Sequence, residues 1–247
     1  MLECRLFYSN NREYRSKIKI IRQGGILVKK FVEFCKNNLD LDESCNFDVY
    51  SSLSVCIIDC IYSLQARYYS VTVPIVNRYA DKYMNGDSLA TGDNLIDFIN
   101  HIDEAGGCEK FAQDLLKNRQ KLNGRLKFEV CYELAKKLRI LKIETKEDFR
   151  NYKEIELLEI VISSVKGIGS AALNYLFMLA GDPNRCKPDV HVHHCIVDVC
   201  GKDISDDDCQ ILLKEAVEIL KINYPNITVR NLDNIIWNKY QVGQSPS

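Results

Sequence analysis

The chain has 247 residues, 46% of them hydrophobic and 27% charged, with a formal net charge of −1. This is the balance of a soluble globular protein, long enough for one large domain or two interlocked lobes. No segment approaches the roughly 18 apolar residues of a membrane span, and Met1 to Arg22 is too charged for a signal peptide, so the sequence places the protein inside the cell: cytoplasm or nucleoid, or the nucleus of a eukaryote.

Along the chain, Arg5–Ile20 reads as a short strand pair about Asn10-Asn11. From there the pattern is helical. Apolar residues recur at helical spacing in Ile26–Asn37, Val49–Leu64, Val73–Tyr83, Asn94–Ile102, Glu109–Leu116, Leu126–Leu138, Ile155–Val165, Ala171–Ala180, Val190–Cys200, Asp208–Ile222 and Val229–Tyr240. Gly106-Gly107, Gly124, Gly181-Asp182-Pro183 and Gly201 break or end helices. The fold class predicted is all-α, with Gly243–Ser247 a frayed tail.

The 11 cysteines are scattered and form no Cys-x-x-Cys pair. Cys56 and Cys60 share one apolar helical face, where cysteine acts as a small hydrophobe, so they read as buried reduced thiols. Charge is unevenly spread. Nine basic residues stand between Lys117 and Lys142 against Glu129 and Glu133, and seven between Arg12 and Lys30 against Glu13. Such one-sided segments suit a phosphate-tracking surface, although a charge run is more often a solvated face.

Two motifs carry chemistry. Lys166-Gly167-Ile168-Gly169-Ser170-Ala171-Ala172 is a Gly-x-Gly turn between two short helices that pack through Ile162, Val165, Ile168, Ala172 and Leu176. Its glycines allow backbone angles that a side chain forbids, and Ser170 stands where an N-cap belongs. The N–H groups of Gly169, Ser170 and Ala171 face outward at a helix start, where an anion is favoured. An ordinary helical corner would read the same way. About twenty residues on, Pro188-Asp189-Val190-His191 opens another helix. An Asp in that place is usually an N-cap, and its spacing from the turn makes it also a carboxylate available to a nucleotide.

Together these residues resemble the helix-hairpin-helix, Gly/Pro-Asp superfamily of DNA base-excision glycosylases, whose Val-Asp-x-His signature Pro188-Asp189-Val190-His191 matches closely. Ile61-Tyr62-Ser63-Leu64-Gln65-Ala66 is similar to the Ser-x-Gln-Ala segment of the endonuclease III branch. Arg125-Leu126-Lys127 with Glu133–Leu138 resembles the family's basic helix before the hairpin, and Leu232–Trp237 a C-terminal segment of several branches. The likeness runs from Val49 to Tyr240, and residues 1–48 have no counterpart.

The resemblance implies one two-lobed unit over 1–247. A helical lobe of about 49–184 would hold the hairpin at 155–180, and about 1–48 with 185–247 would form the second lobe. The active-site cleft would lie between lobes. Asp189 would be the catalytic carboxylate, with His191 bracing its loop. Gly167, Gly169, Ser170 and Ala171 would bind the DNA backbone, with Arg125 and Lys127 on the basic helix. Gln65 would enter the duplex where the base has left. Such a pocket needs aromatic faces, for which Tyr62, Tyr68 and Tyr175 are candidates, and they read equally well as core residues. The partner would be double-stranded DNA with a damaged or mismatched base, the enzyme a monomer without a membrane.

Two departures bear on mechanism. Bifunctional members carry a lysine after the hairpin glycines, where this chain has Ala171, which implies a monofunctional enzyme without lyase activity. Endonuclease III ends in four closely spaced cysteines, whereas no cysteine follows Cys209 here. That rules out the family's iron–sulfur cluster and leaves no cofactor beyond room for a monovalent cation at the hairpin. A zinc site in Cys186–Cys200 is disfavoured, because His191 and His193 fall on different sides of a helix. The alternatives are a non-catalytic helix-hairpin-helix DNA-binding protein and, more distantly, a metal hydrolase on the histidine cluster.

Overall fold

The structure is a computed structural model, and it describes residues 25–42, 50–89 and 92–242. The strand pair expected at Arg5–Ile20 and the tail at Gly243–Ser247 lie outside the described residues. The rest is overwhelmingly helical. The described residues fall into two compact units, those within Asn46–Lys187 and those within Met1–Cys45 and Pro188–Ser247.

The first unit is built around α2 (Leu53–Tyr62), whose ten residues are all buried. Its sequence explains this, because LSVCIIDCIY is apolar on every side, and a helix apolar all round belongs in a core. Ser52 caps it, accepting from the Val55 N–H. Around it pack α3 (Val73–Tyr83), α4 (Leu95–Glu104), α6 (Lys127–Ile140) and α9 (Ser170–Ala180). The Cys60 thiol donates to the Ala172 carbonyl and the Cys56 thiol to the Leu179 carbonyl, at 3.2 and 3.5 Å, so both cysteines also tie α2 to α9.

Between α2 and α3 the chain makes a π-helical turn, Tyr68–Thr72, reached through Gln65 at φ 51°. A non-glycine residue in the left-handed region and a π turn are each uncommon, and both gather at functional sites. After α5 (Cys108–Asp114) a two-residue hairpin pairs β1 (Lys121–Leu122) with β2 (Arg125–Leu126). Its turn is Asn123-Gly124, both at positive φ, the chemistry a tight hairpin needs. The short α7 (Lys146–Asn151) starts with a capping box in which Thr145 and Asp148 satisfy each other's backbone N–H. Then α8 (Ile155–Ser163) leads through a six-residue turn into α9.

In the second unit α10 (Val190–Cys200) and α11 (Asp206–Leu220) both pack on α12 (Val229–Val242). The helix at 25–38, α1, joins them, with the Lys239 ammonium donating to the Asn38 carbonyl at 2.9 Å and lying over the Phe34 ring.

Candidate nucleic-acid interface and catalytic carboxylate

The turn between α8 and α9 is a hairpin packed through the expected apolar positions. Ile162, Val165, Ile168, Ala172 and Leu176 are all buried. Its two glycines do different jobs. Gly167 has φ +110°, and a Cβ there would meet Leu122 Cδ2 at 3.0 Å. The fold itself requires that glycine. Gly169, expected to share the positive φ, is instead extended at φ −99°, ψ −175°. A Cβ built on it meets nothing within 4 Å. The N-cap also differs from expectation. It is Gly169, which offers no side-chain bond, and Ser170 is the first helical residue. A helix start that a serine one position earlier would have capped is thus left without a side-chain cap. Ala171 occupies the next position of α9.

The basic helix beside the hairpin corrects the sequence reading. Lys127 is 2% exposed, and its ammonium donates to the carbonyls of Tyr62 at 3.2 Å and Leu64 at 2.5 Å and to Gln120 Oε1 at 3.1 Å. Desolvation lowers its pKa from the ordinary lysine value. It is an internal strut closing the end of α2, not a cation facing solvent. Arg125 is spent internally too, on Glu133 at 2.5 Å and on the Glu129 carbonyl at 3.1 Å. Their sequence spacing showed positive charge but not its direction. The exposed cations flanking the turn are Lys166, within it, and Lys121, on the hairpin whose Leu122 backs Gly167.

The three tyrosines separate. Tyr62 is fully buried in the core, its hydroxyl without a hydrogen-bond partner, so its ring is closed to any ligand. Tyr68 and Tyr175 converge on a residue that sequence reasoning passed over. Asp59, buried on α2, accepts from Tyr50 and Tyr68 at Oδ2 (2.7 and 2.8 Å) and from Tyr175 at Oδ1 (2.7 Å). Burial, then the neighbouring carboxylate, pushes all three phenols far above their ordinary range. The Lys187 ammonium lies over both rings, 3.9 Å from the Tyr175 centroid and 5.9 Å from that of Tyr68. A lone acid in the apolar run Val55–Ile61 was the visible signal, since a buried carboxylate must find donors. Gln65 is exposed, three residues before Tyr68.

In the second unit Asp189 caps α10. Its Oδ1 accepts from the N–H groups of His191 at 2.9 Å and Val192 at 3.3 Å, and Oδ2 takes part in neither bond. The His191 ring stands edge-on to Trp237, with centroids 6.0 Å apart. His191 Nδ1 is buried and has no hydrogen-bond partner. His193 is engaged elsewhere, its Nδ1 on Asp203 at 2.6 Å and Nε2 on Asp206 at 3.0 Å. Burial works against the charged ring, but those two carboxylates outweigh it and raise the pKa. Among the described residues no three His, Cys, Asp or Glu side chains are grouped to hold a metal ion.

One family model, described as Domain of unknown function (DUF8548), matches residues 29–241. The chain belongs to this family. No curated protein and no solved structure matches it. The match spans the hairpin, Asp59 with its tyrosines, and Asp189 alike, so all of them lie within the family's domain. Among the described residues no helix is long and apolar enough to cross a membrane.

Proposed function

We propose that the protein is a monofunctional DNA N-glycosylase that removes a damaged or mismatched base from double-stranded DNA. The observation that carries this reading is Gly169. Nothing inside the fold demands a glycine there, neither its backbone angles nor the space around it. An anion that must approach backbone N–H groups closely does demand one. A phosphate of the DNA backbone is such an anion, and exposed Lys121 and Lys166 supply the matching charge.

In this reading the hairpin turn grips one strand, and Gln65, exposed after α2, fills the space left by the extruded base. Tyr68, partly exposed, offers a ring face for stacking, whereas Tyr175 is buried and serves to hold Asp59. Asp189 acts on the sugar through Oδ2, stabilising an oxocarbenium-like centre or activating the attacking water, while Oδ1 keeps the residue fixed as a cap. The unpartnered His191 Nδ1 supports a ligand nearby, because a buried polar atom left alone costs about 1–3 kcal/mol. Ala171 cannot form a Schiff base, so base release would leave the strand uncut.

The test is a panel of duplexes carrying uracil, oxidised purines, alkylated bases and mismatches, with abasic sites revealed by alkali. Base release from at least one is the expected result, and inactivity across the panel would sink the reading. Asp189→Asn keeps the cap, since Asn and Asp cap about equally well, but removes the charge. It should cut kcat at least about 100-fold with binding retained. The second reading, a non-catalytic hairpin DNA-binding protein, is favoured by the N-cap role, which alone would account for Asp189. Full excision by Asp189→Asn, or none by the wild type alongside tight duplex binding, would select it.

A further inference from the structure

We infer that Tyr69 stacks on a base that stays in the duplex, beside the gap that Gln65 fills, and that Arg67 holds a neighbouring phosphate; the gap itself rests on the glycosylase reading above. The three side chains stand within the five residues Gln65-Ala66-Arg67-Tyr68-Tyr69, and all three are exposed, Tyr69 to 61%. No acidic residue occurs between Asp59 and Asp81, so the charge of the stretch is wholly positive. A cation beside an aromatic face suits a nucleic-acid strand, the one taking a phosphate and the other a base. Every residue involved belongs to the unit within Asn46–Lys187.

The shape of this segment does not come from its own stability. Gln65 takes φ 51°, and the π turn that follows ends on Thr72, whose hydroxyl is buried without a hydrogen-bond partner. Both are unfavourable, and such features persist where the backbone serves a site. The turn is firmly anchored all the same. The Tyr68 hydroxyl donates to Asp59 Oδ2 at 2.8 Å, the Val71 N–H to the Arg67 carbonyl at 2.9 Å, and the Val73 N–H to the Tyr68 carbonyl. Tyr69 stands edge-on to the ring so fixed, with centroids 5.5 Å apart and planes at 82°. Two rings crossed in this way cannot stack on one base. With Tyr68 taking the extruded base, Tyr69 meets another, and the bases flanking the gap are those that have lost a stacking neighbour. The buried Asp59 cluster thereby acquires a purpose, since it sets the angle at which Tyr68 supports the exposed ring.

The experiment uses a duplex in which a tetrahydrofuran abasic analogue stands for the gap and 2-aminopurine for the base on either side in turn, so binding is read without any excision. Wild type should quench the 2-aminopurine on one side of the gap as it binds. Tyr69→Ala and Tyr69→Leu should leave it bright and bind about tenfold more weakly, and Tyr69→Trp should restore both. Because the ring is exposed, melting temperatures should stay within about 2 °C of wild type. Arg67→Ala should reduce the salt slope by about one, whereas Tyr69→Ala leaves the slope unchanged. If Tyr69→Ala binds as tightly as wild type, or the quenching survives the loss of the ring, the inference falls, and excision by the wild type would leave the glycosylase reading standing. Weaker binding with a melting temperature several degrees lower also overturns it, as it would mark a ring that supports the fold. A wild type that quenches through Tyr69 yet excises nothing from damaged duplexes keeps the contact and removes the glycosylase. If the wild type binds no duplex, both fall together.

Discussion

The start of α6 and the turn before α9 look alike in the sequence, as two short segments suited to a nucleic-acid backbone, yet the structure uses them in opposite ways. At α6 the charged groups turn inward. Lys127 closes the carbonyl end of α2, and Arg125, on β2, is held by Glu133 and the Glu129 carbonyl of α6. At the turn, a residue with no charge and no side chain faces open space. The lesson is that a cation in the sequence records a charge but not its direction. A glycine that the fold does not need points outward more reliably than a lysine that it does.

That contrast can be broken by substitution. The largest effect expected on the fold is at Lys127. Lys127→Met keeps the length and apolar stem but leaves two buried carbonyls and Gln120 Oε1 without their donor, and should cost about 2 kcal/mol in stability by denaturant unfolding. The salt dependence of duplex binding should not change. A shallower salt slope with full stability would return Lys127 to the DNA surface.

Gly169→Ser is sharper, because it moves two properties in opposite directions. Serine at an N-cap would bond the α9 N–H groups and stabilise the protein by a few tenths of a kcal/mol. The same side chain would occupy the approach to those groups and weaken duplex binding about tenfold. Stabilisation with unchanged affinity would reduce the turn to a corner of the fold. Smallest is Lys166→Ala, which should weaken all duplexes a few-fold and reduce the salt slope by about one, with stability unmoved. An unchanged slope would remove Lys166 from the interface.

The same distinction explains what the sequence disclosed. Periodicity finds elements whose faces are set by local spacing, and Val73–Tyr83 and Val190–Cys200 have the bounds their patterns suggest. Periodicity starts α2 too early, at Val49, because Val49 and Tyr50 continue the apolar spacing although Ser52 is the cap. Two further local signals are legible in the sequence: Asn123-Gly124, which makes a hairpin turn and not only a helix break, and Thr145-x-x-Asp148, the capping box that opens α7. The π turn at Tyr68–Thr72 and the meeting of Tyr50, Tyr68 and Tyr175 on Asp59 have no local signal. They depend on hydrogen bonds between residues as far as 116 positions apart, brought together only by packing around α2. At the candidate site the sequence shows which residues carry useful chemistry, and the fold alone decides which of them face outward.

Asp59 also sets how this unit meets alkali. Each of its three phenols has a pKa raised above the ordinary value of 10, so each holds its proton in the folded chain after an unfolded chain would have released it. The stability they contribute is complete below pH 10 and is lost as pH rises beyond it. With three protons retained, the loss approaches about 4 kcal/mol per pH unit. Ultraviolet titration of the tyrosines should therefore show these three ionising in one abrupt step that coincides with the collapse of helical circular dichroism. In Asp59→Asn, if it folds, the step should broaden and move toward ordinary phenol titration. A gradual titration of all thirteen tyrosines in the native protein would mean that the three phenols are not shielded as a group.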